Sequence, residues 1–286
     1  MKAPPFAYAR AESLDDALAL LAEAGDEAKL LAGGQSLVPL LAYRVLRPTH
    51  LVDIDALTSL ETHERTPEGL RLGALVRHEQ LATMSVKGAE RVLAEAAGHV
   101  GHLPIRTRGT IGGSLAHADP AAELPVALLA LGATLHVRST AATRDLGVEE
   151  LLLGPYTTSL AADEAIVGVT VPEAACERRG AFAEFAVRSG DFALAAVAVV
   201  ATVDGNEKRD VRIALGGVDA TAIRASSAEA LLERAELTDD AIAEASTAAA
   251  TDCDPASDAG TSAPYRRALV ARLVRDALTR IREEWA

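Results

Sequence analysis

The sequence predicts an α+β fold in three pieces, and three observations lead there. A strand–turn–helix–strand unit closes within the first 56 residues. A block of mixed strand and helix patterns follows to about residue 175. After residue 180, three strand candidates come in succession and helices follow them. A chain of 286 residues can bury large cores, and with 49 % apolar but only 3 % aromatic residues those cores are aliphatic. The pattern divides the chain at 1–56, 57–175 and 176–286.

In order along the chain, Ser13 followed by Asp15 and Asp16 reads as a helix start, with a capping hydroxyl and acids near the positive end of the dipole. Leu14, Ala17, Leu18 and Leu21 share one face, and Gly25 stops the helix. "AKLLA" (28–32) is a short buried strand, and "SLVPLLAYR" (36–44) a short helix that tolerates Pro39 only in its first turn. "HLVDI" (50–54) is the next strand. The middle block gives strands at 69–75, 133–139 and 164–172 and helices at 87–101 and 122–132. In the last block, strands at 180–189, 193–203 and 210–218 precede helices at 226–235 and 238–250. "DGN" (204–206) is a strong hairpin signal between the second and third of these strands. The final helix carries a stripe of Leu269, Leu273, Ala277 and Ile281, with arginines on its solvated face.

Composition excludes several functions. Twenty-eight Lys and Arg against 41 Asp and Glu leave a formal charge of −13, so no nucleic acid and no anionic membrane surface is expected as a partner. The start "MKAPPFAYAR" has no apolar leader segment, and no uncharged run reaches a membrane span, which predicts a cytoplasmic chain. Two cysteines, Cys176 and Cys253, cannot ligate an iron–sulfur cluster. His99, His102 and His117 lie close in sequence, but no carboxylate or thiolate arrangement completes a metal site. No nucleophile–base set stands at a readable spacing, so no catalytic side chain is assigned.

The distinctive feature is a repeated glycine pair. "LAGGQSL" (31–37) follows the first buried strand, and "TIGGSL" (110–115) occurs some eighty residues later. Glycine lets the backbone approach a ligand, and successive N–H groups in such a turn can hold an anion. Gln35 and Ser36 add donors to the first motif. A Rossmann reading would use Asp53, 19 residues beyond Gly34, but "GGQSLV" does not fit G-x-G-x-x-G. The second motif sits among Arg106, Arg108, Thr110, Ser114, Asp119 and Glu123. Two phosphate hollows plus carboxylates that accept from hydroxyls meet the demand of a flavin dinucleotide. On this reading a β-branched residue at Gly33 or Gly113 blocks the phosphate's approach without unfolding the chain. Read alone, each motif is also satisfied by a tight strand-to-helix turn, and Asp119 and Glu123 by the dipole of the helix they precede.

"LAGGQSLVPLL" with "TIGGSLAHADPAAELP" resembles the FAD-binding medium subunits of the molybdenum hydroxylases, a family that includes xanthine dehydrogenase and aerobic carbon monoxide dehydrogenase. The order Pro-x-Phe-x-Tyr at 4–8, "RSGDFALAAVAV" (188–199), "RIALGGV" (212–218) and "YRRALVARLVRDAL" (265–278) extend the resemblance over essentially the whole chain. It implies an FAD-binding PCMH-type fold: two α/β lobes clasping FAD, then a C-terminal domain of a three-stranded antiparallel sheet plus helices. It implies that Ala32, Gly33, Gly34, Gln35, Ser36 and Leu37 hold the pyrophosphate together with Thr110, Ile111, Gly112, Gly113 and Ser114. Asp119 and Glu123 would bond ribose and ribityl hydroxyls. Lys29, Leu160 and Ile166 would line the nucleotide end, His117 would contact the cofactor edge, and Phe192 would cover one isoalloxazine face where many relatives carry tyrosine.

The function implied is that of the FAD-containing electron-transfer subunit of an oxidoreductase. Iron–sulfur clusters on a 2Fe–2S small subunit would feed it, a molybdopterin-binding large subunit would oxidise the substrate, and the assembly would be a dimer of heterotrimers. Two alternatives stay open at the level of sequence: a free-standing FAD-dependent oxidoreductase acting directly on a small molecule, and a flavin-free scaffold protein.

Overall fold

The computed structural model describes residues 2–204, 207–233 and 235–284. Three principal sheets organise it. The first holds three parallel strands, with His50–Asp53 between Ala7–Arg10 and Ala28–Leu31. Helix Leu14–Ala24 connects the outer two; Ser13 Oγ accepts from Asp16 N at 3.1 Å, and Gly25 closes the helix at φ 56°. Strand Ala7–Arg10 escapes the sequence reading because three of its four residues are exposed and no alternation marks it.

The second sheet has five antiparallel strands in the order His63–Thr66, Gly69–Gly73, Ala165–Pro172, Thr134–Arg138, Thr143–Gly147. Its two edge strands, "HERT" and "TRDLG", are mostly solvent-facing and were not expected from the sequence. Polar edges of this kind protect a sheet from pairing with other chains.

The third sheet carries the three expected strands, Arg179–Phe185, Ala195–Asp204 and Glu207–Gly216, and adds a two-residue fourth, Ile223–Arg224. The expected hairpin turn falls on residues 205 and 206, outside the described residues. One face of this sheet packs on helices Ser226–Leu232, Asp239–Asp252 and Ala263–Glu283 through Val197, Val199, Ile213 and Leu215. The opposite face, with Phe182, Ala196, Ala198, Val200 and Ala214, joins the core of the middle block. Burial on both faces explains why "AAVAVVA" is continuously apolar.

Between the second and third sheets lie helices Arg91–His99 and Glu123–Leu131. All nine residues of the latter are buried, the mark of a helix surrounded by protein. It ends at Gly132 in the left-handed region, φ 66°.

Candidate functional site

The first glycine pair lies where strand Ala28–Leu31 turns into helix Leu37–Ala42. Among the described residues, no backbone acceptor engages the N–H groups of Gly33, Gly34, Gln35, Ser36 and Leu37. Gln35 turns its amide back to donate to Gly33 O at 3.1 Å, and the Ser36 hydroxyl makes no capping bond. Ala32, Gly33, Gly34 and Gln35, but not Ser36 or Leu37, line a cavity of about 420 Å³ whose other walls include Val38, Asp53, Asp55 and Arg108. Asp53 is already engaged: Oδ1 accepts from Asp55 N at 2.8 Å and Oδ2 from the Tyr8 hydroxyl at 2.5 Å.

The second glycine pair is not a turn. It forms the opening of helix Ile111–His117, with Thr110 as N-cap accepting from Gly113 N at 3.2 Å. Ile111 N donates to Val76 O, Gly112 N to Ala74 O and Ser114 N to Thr110 O, so these N–H groups are spent within the protein. Gly112 is required by packing: a Cβ there would meet the Ala74 side chain at 2.7 Å. What the motif presents outward is the bare surface of Gly113, the Ser114 hydroxyl, Ala116 and His117. Gly113, Ala116 and His117 stand at i, i+3 and i+4 and so share one face.

The first motif touches the residues just ahead of the second. Gly33 is buried against the peptide joining Arg108 to Gly109; a Cβ on it would overlap the Arg108 carbonyl oxygen and lie 2.9 Å from Gly109 Cα. Its absent side chain therefore points into protein, not into the cavity, and this corrects the expectation that substitution would only obstruct a phosphate. Arg77 braces the junction, donating to Arg108 O at 2.8 Å, Asp55 at 2.9 Å and Glu61 at 2.9 Å. Under Gly109 lies His78, buried with neither ring nitrogen bonded to a side chain or backbone partner, and burial pushes its pKa down to about 4.

At the far end of helix Ile111–His117 the chain turns through Ala118, φ 50°, into Asp119. Asp119 Oδ1 accepts from Ala121 N at 2.9 Å, and Oδ2 accepts from the Tyr156 hydroxyl at 3.3 Å. The Tyr156 ring lies 5.2 Å from that of His117, whose pKa burial lowers against the pull of Asp119. Glu123, in the first turn of the buried helix, is 7 % exposed, and burial pushes its pKa up to about 7.

The remaining expected residues scatter. Lys29 is exposed on its strand, Ile166 lies in the middle core, and Leu160 packs against that core. Ile111 is fully buried. Phe192 is 72 % exposed on the loop after Phe185. Two residues were missed: Arg108 as a cavity wall, and Tyr156. Tyr156 had one signal, a tyrosine placed right after Gly-Pro. Its backbone φ of 55° is uncommon for a bulky residue.

Among the described residues, no group of three or more His, Cys, Asp or Glu could hold a metal ion, and no helix is long and apolar enough to cross a membrane. Residues 4–174 match the family model described as the FAD binding domain in molybdopterin dehydrogenase, and residues 180–281 match that of the CO dehydrogenase flavoprotein C-terminal domain. The chain belongs to this family. It is 43 % identical to the 6-hydroxypseudooxynicotine dehydrogenase complex subunit alpha of Paenarthrobacter nicotinovorans, over 99 % of this chain and 97 % of the relative. It is 40 % identical to the nicotine 6-hydroxylase medium subunit of the same organism, over 96 % of each. Among solved structures, carbon monoxide dehydrogenase from Hydrogenophaga pseudoflava superposes with a TM-score of 0.94 at 35 % identity, covering 98 % of both chains. The protein is thus an FAD-binding medium subunit of the molybdenum hydroxylase type, part of an oxidoreductase.

Proposed function

We propose that this medium subunit collects electrons from a 2Fe–2S small subunit and passes them through FAD to an external acceptor, while a molybdopterin-binding large subunit oxidises the substrate. We place the assembly in the cytoplasm as a dimer of heterotrimers. The observation that carries the reading is the helix Ile111–His117. Seven residues span roughly 10 Å. Its start follows directly on Arg108 and Gly109, against which Gly33 packs, and its end leads through Ala118 into Asp119, which accepts from the Tyr156 hydroxyl. An extended dinucleotide needs anion donors at one place and hydroxyl acceptors about that far away.

The residues present fit FAD. Gly33 to Leu37, with the hydroxyls of Thr110 and Ser114, would hold the pyrophosphate over the bare surface of Gly113. Asp119 and Glu123 would accept from ribose and ribityl hydroxyls. Lys29, Leu160 and Ile166 would border the nucleotide, and Ile111 and Gly112 act by setting the helix against Ala74. His117 and Tyr156 would border the crevice, with the exposed Phe192 ring closing it. When bound, FAD supplies a two-electron store that accepts electrons singly. Both described cysteines are free thiols far apart in sequence, consistent with clusters on another chain.

Co-expression with the neighbouring reading frames, purified through a tag on this chain, is expected to yield a complex containing molybdenum, iron and FAD. Acceptor reduction should be lost on stripping FAD and restored on adding it back. A lone FAD-loaded chain that turns over small molecules at full rate would sink the proposal. Asp119→Ala is expected to raise the FAD dissociation constant at least about tenfold, since hydrogen bonds to a charged acceptor are worth about 1.5–3 kcal/mol. Fluorescence titration of the stripped chain reads this, and Tyr156→Phe, which keeps the carboxylate, should change affinity by less.

A further inference from the structure

Arg108 shares a cavity wall with Ala32, Gly33, Gly34 and Gln35, and among the described residues lining that cavity it is the one cation. The fold fixes this residue at both ends. Its carbonyl accepts from Arg77 Nη1 at 2.8 Å and is the surface on which Gly33 packs, and its N–H donates to Ile105 O at 3.1 Å. Its guanidinium donates from Nη2 to Asp55 Oδ2 at 3.1 Å, and Asp55 is itself a wall of the cavity. A guanidinium carries several N–H donors in a planar fork. Here the others have no acceptor among the described residues, and the side chain is 54 % exposed.

The charges around it can be followed group by group. Asp55 is shared, with Oδ1 accepting from Arg77 at 2.9 Å and Oδ2 from Arg108. Arg77 spends its other amine on Glu61 at 2.9 Å and does not line the cavity, so it stands behind the wall. Asp53, the second carboxylate in the wall, is turned to the Tyr8 hydroxyl and the Asp55 N–H. The first glycine motif adds backbone N–H groups and a neutral Gln35 amide, which folds back onto Gly33 O. A pyrophosphate set before these groups would be attracted by dipoles and repelled by two carboxylates. Arg108 is the group that can reverse that balance.

We propose that Arg108 is a binding residue for the FAD pyrophosphate: its guanidinium, tethered by Asp55, supplies the positive charge that the peptide N–H groups of the first glycine motif lack. This rests on the reading of that motif as the pyrophosphate cradle. Arginine suits the task because its planar fork bonds phosphate oxygens in pairs, and such charge-assisted bonds are stronger than those between neutral groups. Asp55 and Arg77 are positioning residues. Asp55 holds the fork at the cavity, and Arg77 meets the Asp55 charge from behind, so that the tether does not consume the whole charge of Arg108. The same Arg77 holds the Arg108 carbonyl against Gly33, which ties the cation and the N–H groups into one rigid corner.

Two measurements on the full-length chain, stripped of FAD, test this. In the first, FAD affinity is titrated by fluorescence at low and high salt. Arg108→Gln is expected to raise the dissociation constant about tenfold or more at low salt, and Arg108→Lys, which keeps the charge but not the fork, to raise it less. The ratio of the Arg108→Gln constant to that of wild type should shrink as salt rises, because salt screens a half-exposed charge. Loss of a purely structural contact would leave that ratio unchanged. Equal affinities for wild type and Arg108→Gln, or a ratio that salt does not move, overturn the proposal. In the second, the chain is treated with phenylglyoxal, an arginine-selective reagent, and the modified sites are read by mass spectrometry. FAD should protect Arg108 and leave the exposed Arg71 and Arg275 equally labelled. Labelling of Arg108 that FAD does not reduce overturns the proposal. Asp119→Ala separates this proposal from the reading beneath it. If Asp119→Ala weakens FAD binding and Arg108→Gln does not, the cradle stands and Arg108 is not its cation; if neither weakens it, FAD binds elsewhere and both fall.

Discussion

Gly33→Ala is expected to release FAD and to lower the stability of the chain together. A single methyl at this position has nowhere to go, because it would overlap the Arg108 carbonyl oxygen and crowd Gly109. Both neighbours are backbone, braced from behind by Arg77, so neither can swing aside as a side-chain tip could. Overpacking at a tight contact costs about 1–3 kcal/mol, and Gly33→Val should exceed Gly33→Ala. The flavin-to-protein absorbance ratio and the thermal midpoint check the two effects, and a variant with unchanged flavin content and midpoint would show that the junction of the two motifs does not hold the cradle. Gly98→Ala is the control. Nothing lies within 4 Å of a Cβ built there, and its position inside helix Arg91–His99 predicts a gain of about 0.5–1 kcal/mol.

The second large effect is expected at Arg65. Its guanidinium donates to both oxygens of Glu90, at 3.0 and 2.6 Å, and Glu90 is 0 % exposed. Burial pushes the Glu90 pKa up, but the Arg65 fork and the Lys87 N–H overcome this and leave it below its usual value. Arg65→Ala strands the carboxylate in the core, and breaking a buried pair in this way costs about 3–5 kcal/mol. Arg65 is itself about one-third exposed, so the lower end of that range is expected. Because the folded value is depressed, the pair's contribution is present above the unfolded carboxylate pKa and fades as pH falls through the folded one. Urea titrations of wild type and variant should therefore differ most at neutral pH and converge in acid. Equal stabilities at pH 7 would mean that the pair contributes nothing.

Much of this architecture is legible in the sequence where burial is one- or two-sided and apolar. The strands Ala165–Pro172 and Ala195–Asp204 and the helices Leu14–Ala24 and Glu123–Leu131 announce themselves through period or continuous apolarity. Strands Ala7–Arg10, His63–Thr66 and Thr143–Gly147 do not, because they are short, polar and held by ladder bonds to a partner distant in sequence. Both glycine motifs could be found from spacing. Their local forms could not, since whether Gly112 and Gly113 make a turn or open a helix depends on Ala74 and Val76, whose carbonyls take the N–H groups of Gly112 and Ile111. Gly33 had the right residue type for a reason only the fold reveals.

The helix Glu123–Leu131 touches protein on every side, and one continuous core runs past it from the five-stranded sheet into the four-stranded one. The two family segments, 4–174 and 180–281, therefore share this core, besides the ones each has to itself. A chain severed between them would leave each half with a wet apolar trough where the other half had been. Joining either segment to a foreign neighbour would require that neighbour to supply the missing wall.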